Sequence, residues 1–327
     1  MGYNKNHVKK NGHATGMEGF SMLDSITVIA EQVAMLYLMM AAGFFCFKKK
    51  LIRENGAKQM TDLLLFVVTP CVIVSSFEIE FDAALRDGIL IATGVAVGAH
   101  ALAIGIGMLF FKKEPGARRR VLRFSVVFSN CGFMSIPLLS ALLGSRGVIY
   151  GAAYLGVFNI VQWTYGVYLM TGDRKQVSVK KAILNPGVIG LALALPIFFF
   201  SIRLPDVLSQ TIGQLANLNT PLAMVVIGCH IAAADLKRAF LDKSIYLALV
   251  LRLLAAPLLV TALLLPFHLE RDLLLACVIP ASAPAAATTA LFSDRFGQDT
   301  GLASSIVTVT TLVSIVTMPL LILVASL

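Results

Sequence analysis

The chain has 327 residues, 57% of them hydrophobic and only 14% charged, with a mean hydropathy of +0.83. That is far outside the range of a soluble globular domain, so the sequence reads as an integral membrane protein. The formal net charge of +9 suits nucleic acid only if the basic residues share one soluble face; they lie instead between apolar runs, and nucleic acid is excluded as a partner.

A polar N-terminal tail, residues 1–25, comes first. It shows no signal peptide, and Met17 or Met22 is an alternative start. Ten apolar windows follow, at 26–47, 63–80, 88–111, 121–143, 148–170, 183–201, 212–235, 245–265, 272–292 and 302–325. Each is long enough to cross about 30 Å of hydrocarbon as a helix, and none alternates as a barrel strand must. The fold class is therefore an all-α membrane protein of ten transmembrane helices. Cys46, Cys71, Cys131, Cys229 and Cys277 stand singly inside the windows without ligand spacing. They read as small apolar residues, and no cofactor or metal is expected.

The loops that follow odd-numbered spans carry nineteen Lys and Arg residues, whereas those that follow even-numbered spans carry four, Arg86, Arg146, Arg203 and Arg271. The positive-inside rule places the odd loops in the cytoplasm and both termini outside it, and makes anionic membrane lipid the partner of the basic surplus.

Three landmarks recur at similar offsets. Pro70 of span 2 matches Pro221 of span 7 at 151 residues, Pro137 of span 4 matches Pro284 of span 9 at 147, and Gly147 matches Gly301 at 154. The simplest account is a five-span unit used twice, residues 26–171 and 182–327. Because five is odd, the second copy enters the membrane inverted, as in many secondary transporters.

Spans 4 and 9 carry their own interruptions. FSNCGFMSIPLL contains Ser129, Asn130, Cys131, Gly132, Ser135 and Pro137, and IPASAPAAATTALF contains Pro280, Ser282, Pro284, Thr288 and Thr289. Proline removes a backbone donor and crowds the preceding turn, and a broken helix cannot face lipid because each unpaired backbone group costs several kcal/mol. The breaks must be buried or line a wet cavity. Proline is well tolerated at a helix start, so Pro137 and Pro284 are expected to open the second half-helices of their spans. Two half-helix N-termini meeting from opposite leaflets present N–H groups and positive dipole ends, a combination that favours an anion.

These motifs, in this order, resemble the auxin efflux carrier family of secondary transporters, especially its bacterial members. The resemblance rests on LLLFVVTPCVIVSSF, FSNCGFMSIPLL, GVIYGAAYLGVFNIVQWTYGVYLM, LNPGVIG, TPLAMVVIGC, IPASAPAAATTALF and FGQDTGLASSIV, and it runs from Ser25 to the end. It implies an inverted repeat in which helices 4 and 9 are broken and crossed. It implies a scaffold of helices 1, 2, 6 and 7 and a moving transport domain of helices 3–5 and 8–10, working as an elevator. It also implies an organic anion as substrate, with malonate, malate and auxin among those of the family, and it places Asn130 and Asn159 in the substrate pocket. A homodimer and a bacterial inner membrane location fit the same family. The short central loop, about 171–185, departs from the long one of many plant members and argues against auxin itself.

Single polar residues within the spans have two readings each. Asn159 at the middle of span 5 is either an interhelical hydrogen bond or a pocket residue. His100, among the small residues of GVAVGAHALAIGIG, either carries a coupling proton or packs as a neutral imidazole. Arg252 is expected to snorkel to the cytoplasmic surface, or alternatively to guide an anion inward. Tyr154 and Trp163 read as packing aromatics near the cavity, and Glu31, His230 and Asp235 read as interfacial. No carboxylate flanks the break in span 9, which leaves sodium coupling without support.

Three functions compete. A carrier moving a small organic anion by alternating access accounts for the breaks and the repeat. A passive anion channel on the same fold would separate from it by non-saturating flux. A membrane-embedded enzyme needs clustered carboxylates or histidines on one face, and a nucleotide-driven pump needs a phosphate-binding loop, and the sequence contains neither.

Overall fold

The computed structural model describes residues 22–178, 180, 183–233 and 242–326. Among them the chain forms helices α1 (Met22–Lys48), α2 (Glu54–Phe77), α3 (Ala83–Phe110), α4 (Gly116–Val127) and α5 (Cys131–Thr171). These are followed by α6 (Pro186–Phe199), α7 (Asp206–Ala233), α8 (Lys243–Phe267), α9 (Arg271–Ser282), α10 (Thr288–Arg295) and α11 (Thr300–Ser326). Six of these, α2, α3, α5, α7, α8 and α11, are long and apolar enough to cross a membrane; the described apolar part of α1, Ala34–Lys48, and α6 are shorter.

The remaining windows are the interrupted ones. Span 4 is split between α4 and the start of α5, and span 9 between α9 and α10. α5 is itself folded at Gly144, whose φ of 59° and ψ of −148° lie where only glycine sits without strain. Residues 131–143 therefore form one arm of α5, and residues 145–171 return as the second.

Proline leaves a regular mark on these helices. The turns Leu64–Val68, Cys131–Ser135 and Leu251–Ala255 are widened to π geometry, and each ends two residues before a proline: Pro70, Pro137 and Pro257. A proline ring collides with the carbonyl of the preceding turn and offers that carbonyl no N–H. Widening the turn moves the carbonyl away, so the helix continues through a proline that would otherwise kink or stop it. A fourth π turn, Gln162–Gly166, has no proline after it, and the proline argument does not account for it.

Packing positions the breaks. α3 lies against α4 and the returning arm of α5, α9 lies against α5, and α11 spans α4, α8, α9 and α10. α2 packs on α6 and on the first half of α7, while α1 packs along the second half of α7. That last contact is a backbone-to-backbone approach. A Cβ built on Gly228 would stand 2.0 Å from the Met40 carbonyl oxygen, one on Gly43 would stand 2.2 Å from that of Val225, and the Cys229 thiol donates to the Gly43 carbonyl at 3.5 Å. Without a hydrophobic drive between helices in lipid, such close van der Waals contact between small residues is what joins them.

Gly228→Ala is expected to cost at least the 1–3 kcal/mol typical of overpacking, because backbone rather than a flexible side chain blocks the new methyl group. The loss reads out as a lower melting temperature in detergent. Gly94→Ala, with nothing within 4 Å of its added carbon, is the control and should melt like the parent.

Candidate functional site at the helix crossing

The two interruptions meet. After α4 ends at Val127, Phe128 is extended, and after α9 ends at Ser282, Ala283 is extended. Ser129 and Ala285 form an antiparallel bridge, in which the Asn130 N–H donates to the Pro284 carbonyl at 2.7 Å and the Ala286 N–H to the Phe128 carbonyl at 2.9 Å. The Ala285 N–H donates to the Thr310 hydroxyl of α11 at 3.2 Å. Each broken strand thus meets the needs of the other, which is how polar backbone survives at membrane depth.

Pro137 and Pro284 do not open the second half-helices. The first starts at Cys131, six residues ahead of Pro137, and the second at Thr288, four residues past Pro284. The widened turn lets the first helix pass its proline, and Pro284 stands in the extended crossing, where its carbonyl is an acceptor and its lack of an N–H leaves no donor to satisfy. Pro280 lies inside α9, buried, ahead of the break.

Arg252 neither snorkels nor faces the cavity. It is 3% exposed, and its guanidinium donates to the carbonyls of Val126 at 2.9 Å, Ala283 at 3.1 Å and Ala281. The reason is local: these carbonyls belong to the C-terminal ends of α4 and α9, lack helical partners, and attract a cation more strongly than a distant surface.

A cavity of about 110 Å³ opens at the crossing, with Arg252 outside its wall. At roughly 10–15 Å³ per water it has room for several waters or one small ligand. Its walls come from α2 (Thr69), the crossing (Ser129, Asn130, Gly132, Thr288), α5 (Phe158, Asn159, Gln162, Trp163) and the start of α6 (Asn185, Gly187). Asn130 and Asn159 are 5% and 7% exposed, and neither side-chain amide has a hydrogen-bond partner among the described residues. The first bond of α5 runs from the Met134 N–H to the Asn130 carbonyl at 3.2 Å, so Gly132 and Phe133, both on the cavity wall, precede the hydrogen-bonded turn. The crossing therefore brings two free amides and a helix N-terminus to one small space.

Most of the other residues singled out in the sequence lie around this space rather than on it. Cys131, Ser135, Ser282 and Thr289 are buried behind the wall; the Ser282 hydroxyl returns to the Ile279 carbonyl at 2.9 Å, and the hydroxyls of Ser129, Ser135 and Thr289 have no partner among the described residues. His100 is 3% exposed and packed among Tyr154, Phe128 and Phe158 with its ring tilted to each, with Nδ1 2.7 Å from the carbonyl of Ala96 and Nε2 without a partner among the described residues. Trp163 serves both purposes: it lines the cavity and packs on Phe292 at 5.3 Å. Glu31 is exposed and His230 half-buried, while Asp235 lies outside the described residues.

Gln162 and Asn185 were not legible as wall residues. Gln162 is 2% exposed and exchanges hydrogen bonds with Thr288 at 3.1 and 3.3 Å, tying the returning arm of α5 to α10. Its spacing of three from Asn159, one helical turn, was the available signal. Asn185 caps α6 by accepting from the Gly187 N–H at 3.0 Å, and its Asn-Pro-Gly setting announces a helix start without revealing what that start faces.

A Cβ on Gly187 would stand 2.7 Å from Nδ2 of Asn159. Gly187→Ala is therefore expected to turn that amide away at little cost to folding. The loss of one hydrogen bond, about 1.5–3 kcal/mol if the ligand is charged, would weaken binding of a ligand held by Asn159 roughly 10- to 100-fold with an unchanged melting temperature. Titration of the purified variant checks both.

Comparison with known proteins places this geometry. Residues 28–322 match the family model described as "Membrane transport protein". An "Uncharacterized transporter" of Methanothermobacter thermautotrophicus is 22% identical over 295 residues, covering 89% of this chain and 96% of the relative. A "Putative malonate transporter" of Rhizobium meliloti is 24% identical over 271 residues, 79% of this chain and 83% of the relative. "Uncharacterized transporter YfdV" of Escherichia coli K12 is 22% identical over 309 residues, 89% and 96%. The family match over most of the chain agrees with the motifs around both breaks, and the chain is a multi-pass membrane transporter, not an enzyme, belonging to the membrane transport protein family of the auxin efflux carriers.

Proposed function

We propose that this protein is a secondary carrier for a small organic anion, a short dicarboxylate of the malonate class, held at the crossing of the two interrupted helices. The observation that carries this reading is the pair of buried amides, Asn130 and Asn159, facing one cavity without a partner. Both amides open onto the cavity, where a ligand is free to take their hydrogen bonds. A carboxylate accepts from both amides and from the N–H groups at the start of α5, and it sits favourably at a helix N-terminus. The name of the Rhizobium meliloti relative points to the same substrate class.

In the same reading the ten sequence windows form two inverted five-helix repeats. α1, α2, α6 and α7 make the scaffold, and the remaining helices carry the site as a transport domain. The cavity lies between these groups: Thr69 and Gly187 belong to the first, Asn130, Asn159 and Thr288 to the second. A rigid shift of one against the other would expose the anion to either side in turn. Termini that face outward in a bacterial inner membrane, a homodimer and proton coupling belong to this reading too, and His100, with its unpartnered Nε2 beside the crossing, is the candidate coupling group.

Malonate is expected to raise the melting temperature of the purified protein, as any ligand selective for the folded state does. Asn130→Ala and Asn159→Ala should each abolish that rise while melting near the parent temperature without ligand. In liposomes, uptake should saturate and show counterflow. Equal malonate shifts in both variants, or flux that never saturates, would sink the proposal.

A further inference from the structure

The guanidinium of Arg252 stands where two helix C-termini converge. Val126 is one residue from the end of α4, and Ala281 and Ala283 flank the end of α9 at Ser282. One side chain on the π turn Leu251–Ala255 of α8 thus donates to both interrupted helices at once. Each C-terminus carries roughly half a negative charge, so the two together come to about −1, which one guanidinium balances. Among the described residues no carboxylate pairs with it. Carbonyls freed at broken helices are the groups with which membrane carriers otherwise hold a bound sodium ion.

We propose that Arg252 is a resident cation, covalently supplied, that fills the place of a metal ion at the converging C-termini and so makes the crossing independent of sodium. Its charge silences the negative ends at the two C-termini. The cavity side, with Asn130 and the start of α5, is left with an uncancelled positive potential that suits an anion. Arg252 is in this sense a positioning residue: it touches the backbone that shapes the site and does not line the cavity.

The melting arms of the test need no substrate, and only the transport arm rests on the carrier reading. The parent protein in detergent should melt at the same temperature in sodium chloride and in choline chloride of equal ionic strength; a selective rise with sodium would overturn the proposal. Arg252→Ala should melt lower and recover when millimolar guanidinium fills the vacated space, while urea, of similar shape and uncharged, should not restore it. Recovery with urea as good as with guanidinium would refute a role for the charge. If the alanine variant fails to fold, Arg252→Lys and Arg252→Met decide: lysine should stand clearly above methionine, and methionine melting like the parent would overturn the assignment. In liposomes, malonate counterflow should be equal with sodium and with choline, and counterflow seen only with sodium would overturn it too. Absence of counterflow in both counts against the substrate reading, while the melting arms still judge Arg252.

Discussion

Every feature around the crossing follows from one constraint: a backbone N–H or C=O at membrane depth must find a partner, because hydrocarbon offers none. Breaking two helices frees such groups where they cost most. The chain answers by breaking both at the same place, so that Phe128 to Asn130 and Pro284 to Ala286 bond to each other. Thr310 takes a further N–H, and Arg252 takes the carbonyls of Val126, Ala281 and Ala283 at the two C-terminal ends. The amino ends are treated differently: α5 begins on a cavity wall, beside two amides without partners. In the proposed reading, this asymmetry between bonded carbonyls and available donors is what would favour negative charge in the space.

The rest of the packing keeps that arrangement in register. π turns ahead of Pro70, Pro137 and Pro257 let helices run on past residues that would otherwise end them. Where helices must come closest, glycine allows contact between backbones, as where Gly228 of α7 meets Met40 of α1. Glycine also tunes the site: Gly187 leaves the room that Asn159 occupies, so that a wall residue on α6 determines where an amide on α5 points. The cavity is in this way a joint product of helices that are distant in sequence.

A carrier needs a site that holds its cargo without fixing the surrounding structure. Here the polar groups are few and the remaining wall is apolar and aromatic, with Phe158, Trp163 and Phe292 beside Asn130, Asn159 and Gln162. Sparse, directed donors on an otherwise smooth surface suit selective but reversible binding. The Gln162 to Thr288 bonds join the returning arm of α5 to α10, so the polar groups from both breaks are tied to one another.

Much of this was legible in the sequence. Hydropathy alone established an all-helical membrane protein, because apolar runs of this length have few other stable states, and the Ser, Asn, Gly and Pro clusters of FSNCGFMSIPLL and IPASAPAAATTALF marked the places where two helices are interrupted. Local chemistry does not specify partners across the fold, and there the structure decided. Proline signals a break without fixing its register, so the helices start at Cys131 and Thr288 rather than at Pro137 and Pro284. A cation in an apolar run reads as a snorkelling residue until the carbonyls of two other helices are brought to it, as happens to Arg252. Gln162 and Asn185 became wall residues only when α5, α6 and α10 converged, because which face of a helix meets a cavity depends on its neighbours and not on its own periodicity.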